Sequence, residues 1–180
     1  FNEGYGVSSY DKGSVFLSQL GYIIGDENLS KTLKLYFKEW AFKHPRPYDF
    51  IRCAEKVSGL ELDWYLMDWA QTTKQIDYQV NALVGEGRST RIVLKREKQM
   101  PMPIDVEVFL KDGSSVKYNI PLTMMRGNKP LKNALLLDSW SWAQPYYTFS
   151  VDAAKEDITN VVIDPLRFTA DVNRENNSLK

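Results

Sequence analysis

Residues Thr73-Lys74-Gln75-Ile76-Asp77-Tyr78-Gln79-Val80-Asn81-Ala82 decide the fold, because the hydrophobic period changes within them. From Ile76 onward, Ile76, Tyr78, Val80 and Ala82 alternate with Asp77, Gln79 and Asn81, the pattern of a strand with one buried face. Upstream of Thr73 the apolar residues recur at helical spacing instead. The switch predicts an α+β chain: an N-terminal antiparallel subdomain of about four helices over residues 1–74, an antiparallel β-sandwich of about seven strands over 75–168, and a polar tail over 169–180.

Working backward from the switch, Leu62, Tyr65, Leu66 and Trp69 form the stripe of one helix. Ser58-Gly59 separates it from a helix that starts at Pro47 and turns Phe50, Ile51, Ala54 and Val57 inward. His44-Pro45-Arg46-Pro47 interrupts the helical pattern before that, since proline lacks the N–H a helix interior needs. The preceding helix sets Leu29, Leu33, Tyr36, Phe37 and Trp40 against Lys31, Lys34, Lys38 and Glu39. A first helix reads from about Ser9 to Ile24, with Ser8 or Ser9 as its cap and Asp11 at the positive end of its dipole. It is apolar over so much of its circumference that it expects cover on several sides. Lys12 reads as solvated, and Gly13 as a place where another helix or backbone comes close.

Working forward, Gly85-Glu86-Gly87 turns the chain into Thr90–Leu94, and the alternating run Ile104–Leu110 leads into Lys111-Asp112-Gly113-Ser114. Asp-Gly supplies the positive φ of a tight hairpin, and Val116, Tyr118 and Ile120 return from it. Further strands are expected near residues 134–137, 146–151 and 160–163, with Asp164-Pro165 as a strand exit. No helical period interrupts them, so parallel crossovers are not expected.

Twenty-three basic and 23 acidic side chains cancel, so no net field draws the chain to nucleic acid. Arg88, Arg91, Lys95, Arg96 and Lys98 form the one basic concentration, without the interleaved aromatics that stack bases, and read as a solvated sheet edge. No apolar run approaches the ~20 residues that cross a bilayer. His44 has no second imidazole to share a metal, and Cys53 has no histidine near it in sequence to activate it. Trp140, Trp142, Tyr146 and Tyr147 suit either a glycan-stacking platform or internal packing.

Tyr10-Asp11-Lys12-Gly13, opening an apolar helix with Tyr5 five residues before Tyr10, resembles the segment that follows the zinc site in the gluzincin aminopeptidases, the group of aminopeptidase N and leukotriene hydrolase. Val57-Ser58-Gly59-Leu60 through Trp69 resembles the same family's Ser-Gly turn and tryptophan-ended helix. The resemblance implies that Tyr10 stabilises the oxyanion formed when water attacks a peptide carbonyl, and that Tyr5 lines the substrate pocket. It also implies a zinc cofactor in the parent enzyme. The family's His-Glu-x-x-His is absent here, so the resemblance places zinc and general base on an upstream segment of the same polypeptide. It further implies a chain that binds no metal and is inactive by itself, with a peptide as the parent's substrate. Two other readings stand beside it: a non-enzymatic sandwich that binds glycan or protein, and a catalytically dead relative kept as a scaffold.

Overall fold

Helices α1 (Lys12–Ile24), α2 (Asp26–Trp40), α3 (Pro47–Ser58) and α4 (Asp63–Gln71) precede the strands in the computed structural model, which describes residues 10–180. The strands are β1 (Tyr78–Glu86), β2 (Ser89–Arg96), β3 (Ile104–Leu110), β4 (Ser115–Ile120), β5 (Leu135–Leu136), β6 (Tyr146–Val151), β7 (Ile158–Ile163) and β8 (Ser178–Leu179). The α+β class expected from the change of period is what forms. The chain divides into two units: residues up to Thr73 together with Met125–Pro130, and Lys74–Met124 together with Leu131–Lys180.

In the helical unit, each boundary has a local cause. Gly25 takes φ 91°, donates its N–H to Gly21 O at 2.8 Å and lets α2 begin at once, with Asp26 and Glu27 on the positive end of the new dipole. Pro47 opens α3, while Asp49 Oδ2 accepts the Arg46 N–H at 2.8 Å. Gly59 closes α3 at φ 74°. Leu20, Ile23, Ile24, Ile51, Ala54, Leu62 and Tyr65 are sealed at 0% exposure, which makes them the core of this unit. Burial of such side chains stabilises by about 1.5–3 kcal/mol each.

Two expectations fail here. Apart from its chain neighbours and the helix's own backbone, nothing among the described residues lies within 4 Å of where a Gly13 side chain would begin; the close approach is at Gly21, where a Cβ would meet Leu29 Cδ2 at 2.9 Å. On α2, Leu33 and Phe37 are exposed and Thr32 is the fully buried residue. Its hydroxyl donates to Asn28 O at 2.8 Å, so a polar side chain sits inside without loss. The segment Met125–Pro130, which lies inside the range read as sandwich, belongs with the helices. Met125 O accepts the Glu61 N–H at 3.0 Å, and Lys129 Nζ lies 3.9 Å from the Tyr22 ring centroid.

The second unit holds a three-stranded sheet, β1-β2-β6, and a five-stranded sheet, β5-β4-β3-β7-β8. Both predicted hairpins form. Gly87 turns β1 into β2 at φ 72°, and Gly113 turns β3 into β4 at φ 84° while Asp112 Oδ1 accepts from Ser114 N and Oγ. A bulge between Val80 and Ala82 lets Leu83 take the buried place expected of Ala82. Tyr118 of β4 meets Phe149 of β6 with ring centroids 5.1 Å apart, so the inner faces of the two sheets share a core. One pairing departs from the antiparallel scheme: β5 runs parallel to β4 over two residues at the sheet edge. The basic residues of β2 are not on an edge either, because β2 is paired on both sides; Arg91 faces outward toward Glu86 at 3.1 Å.

The last residues are not a tail. Val172 N donates to Ile76 O, Val80 N to Asn176 O and Ile163 N to Asn177 O, and β8 pairs with β7. The segment thus serves the free edges of β1 and β7, whose N–H groups need acceptors, and its polar composition is what edge-binding requires. Asp171 Oδ2 accepts the Tyr78 N–H at 2.9 Å, and Asn176 Nδ2 donates to Asp77 Oδ1 at 2.8 Å. Asp164, read from sequence as a mere strand exit, anchors this strap. It is 2% exposed, takes φ 48°, accepts from Phe168 N, Thr169 N and Thr169 Oγ1, and pairs with Arg174 Nη1 at 2.8 Å.

Candidate functional site

Tyr10 and Asp11 have π-type helical backbone that feeds directly into α1. Its side chain is 69% exposed, at the mouth of a helix whose second half is wholly internal. Ser14 Oγ donates to Asp11 O at 2.8 Å. Tyr5, and the capping serines Ser8 and Ser9, fall outside the described residues. Lys12 is exposed, as a solvated lysine should be.

Behind this entrance lies a set of rings that the sequence stripe alone did not single out. Phe16 stacks on Tyr65 at 4.9 Å and 16°, and lies 6.4 Å from Trp69. Tyr65 Oη donates to Phe16 O at 2.9 Å and receives Gln19 Nε2 at 3.4 Å. Burial pushes the Tyr65 phenol well above its ordinary value, so it stays protonated and acts as a donor. The sequence marks Tyr65 only as one member of a stripe with Leu62, Leu66 and Trp69; its depth is what obliges the hydroxyl to find a partner.

Neither other candidate gains a role. His44 is exposed in the connector after α2. Cys53 is 1% exposed, with its thiol 3.7 Å from Glu39 Oε2. Burial and the neighbouring carboxylate both push its thiol up, away from the reactive thiolate. No group of three or more His, Cys, Asp and Glu side chains among the described residues could hold a metal ion, so these residues do not fit a zinc site. No helix of the described residues is long and apolar enough to cross a membrane.

The aromatic run in the second unit is split. Trp140 is 2% exposed, packs edge-on to Tyr78 at 5.4 Å and donates Nε1–H to Gln144 O at 2.8 Å. Trp142 and Tyr146 remain outside, at 61% and 48% exposure. Trp140 is therefore core, and the four rings do not form one stacking surface.

With the tyrosine placed at the head of its helix, the relatives of this arrangement can be read. Residues 1–69 match the Peptidase family M1 domain. Aminopeptidase N of Streptomyces lividans is 34% identical over 64 residues, which are 36% of this chain and 8% of that protein. Among solved structures, the crystal structure of Legionella pneumophila aminopeptidase A in complex with aspartic acid is similar with a TM-score of 0.61, at 14% identity, over 92% of this chain and 17% of that one. This last likeness shows a shared fold. The aminopeptidase resemblance carried by Tyr10–Gly13 and by Val57–Trp69 is borne out in the helical unit, and the chain spans a small part of the length of both relatives.

Proposed function

We propose that these residues are part of a zinc-dependent aminopeptidase that removes residues from peptide N-termini, with Tyr10 as oxyanion donor and Tyr5 lining the substrate pocket. The observation that carries this reading is the family M1 match across residues 1–69, which spans the helix mouth where Tyr10 stands. When water adds to the scissile carbonyl, the C=O π electrons move onto oxygen, and a phenol O–H held within about 2.7–3.1 Å of that oxygen stabilises the charge as it forms. The donor strengthens in the transition state more than in the ground state, which is what accelerates a reaction.

The zinc of such an enzyme would be held by other residues of a longer polypeptide, because the described residues lack a fitting donor set. These 180 residues by themselves are then expected to bind no stoichiometric zinc and to leave an amino-acid anilide uncleaved. Zinc analysis and an anilide assay on the purified chain test this directly; tight zinc together with turnover contradicts it.

A further inference from the structure

We propose that the end of α2 and the turn after it form a docking surface for an anionic lipid bilayer, with Phe42 entering the interface and Lys34, Lys38, Lys43 and Arg46 meeting its headgroups. The proposal goes beyond the peptidase reading and uses none of its residues. Phe42 motivates it. Its side chain is wholly exposed, at 106%, and its backbone holds φ 62°, a region that a bulky residue occupies at a cost and glycine occupies freely. A large apolar side chain in solvent on strained backbone does nothing for folding, which points outside the folded unit for its use.

Its neighbours in sequence extend the apolar surface. Phe37, near the end of α2, is 72% exposed, and Leu33, one turn before it on the same face, is exposed as well. Tyr48, at the start of α3, is exposed too, with the Arg52 guanidinium 6.0 Å from its ring centroid. Large apolar side chains scattered singly need no explanation, but four along one helix and the connector that follows it do.

The charges select the partner. From Lys34 to Arg46 there are four cations and one acid, Glu39, and both oxygens of Glu39 are engaged by Lys56 Nζ at 3.3 Å. Lys34, Lys38, Lys43 and Arg46 are all exposed. Lys43 Nζ donates to Glu39 O at 2.6 Å, but that carbonyl is neutral and leaves the charge unmatched. The acids Asp26 and Glu27 stand at the other end of α2, about 15 Å or more from Phe37 along the axis, and Glu27 is paired with Lys31 at 2.7 Å. A bilayer with acidic headgroups answers both halves of the surface: each cation near it strengthens binding about fivefold, and apolar side chains such as Phe and Leu settle at its boundary. An acidic protein segment would match the lysines and give Phe42 no apolar medium to enter. The contact is with one leaflet and is not a span, since no helix of the described residues is long and apolar enough to cross.

The test is co-sedimentation of the natural polypeptide that carries these residues with vesicles of phosphatidylcholine, with and without about one-third phosphatidylserine. Binding is expected to the mixed vesicles and not to phosphatidylcholine alone, and it should weaken as added salt shortens the Debye length from about 10 Å toward about 3 Å. Phe42→Gly is expected to weaken binding about tenfold with the melting temperature about unchanged, since glycine suits φ 62° and no buried contact is lost. Lys34→Gln combined with Lys38→Gln is expected to weaken it about thirtyfold, whereas Lys98→Gln, an exposed charge lost from the second unit, should change it by less than about twofold. Absence of binding by the natural polypeptide overturns the proposal, and saturable binding of a polyglutamate peptide in its place assigns the surface to an acidic protein. Equal binding to both kinds of vesicle, or a loss in the Lys98 variant as large as that in the α2 variant, overturns it as well, because neither depends on this surface.

Discussion

On the oxyanion role proposed for Tyr10, its replacement by Phe in the longer polypeptide, assayed as an aminopeptidase, is expected to lower kcat by about a hundred- to a thousandfold, the usual consequence of deleting one preorganised oxyanion donor. KM is expected to stay within a small factor. The uncharged substrate carbonyl draws little from the phenol, so the loss falls on the transition state and not on binding. The substitution deletes one oxygen from a side chain that is 69% exposed in this unit, so it should leave folding alone. Steady-state kinetics with circular dichroism on the same samples check both halves. A fall in kcat that accompanies a loss of structure does not meet the expectation, and neither does a rise in KM at constant kcat.

Asp164→Ala is expected to destabilise the second unit by about 3–5 kcal/mol, the scale for removing one partner of a buried ion pair. Three causes add. Arg174 loses its counter-ion, the Phe168 and Thr169 amides with the Thr169 hydroxyl lose their acceptor, and alanine must adopt the positive φ of 48° that aspartate tolerates better. The effect should spread along the strap, because Arg174 also reaches Thr169 O and the following Asn176 and Asn177 serve β1 and β7. Denaturant titration gives the magnitude. Hydrogen exchange gives the location: the Val80 and Ile163 amides should lose protection first. A change below about 1 kcal/mol, within the range of an ordinary surface substitution, contradicts this account of the strap.

The strap also shows where the sequence stopped being legible. Strands and hairpins could be read because alternation and Asp-Gly chemistry are local, and the helix ends at Gly25, Pro47 and Gly59 were visible for the same reason. Residues 169–180 carry no such local sign. Their asparagines and aspartates look like solvated tail until β1 and β7 present unpaired edges to them across more than 90 positions, as in Tyr78 N–H to Asp171. Likewise Met125–Pro130 joins the helices through Glu61 and Tyr22, contacts that no periodicity encodes. At the candidate site, the family resemblance singled out Tyr10, while the ring set of Phe16, Tyr65 and Trp69 was hidden in ordinary helical stripes. Tyr65 counts in that stripe as one more apolar residue, and only its depth and its reach to Phe16 O set it apart.

The most direct test of the central claim, that these residues belong to an aminopeptidase whose metal is held elsewhere in one polypeptide, is the mass of the natural protein. An antibody raised against this chain, used on extracts of cells that make it, is predicted to reveal a band several-fold heavier than 20.8 kDa. A single band at 20.8 kDa would contradict the claim, because the described residues offer no metal site with which such a protein could hydrolyse a peptide.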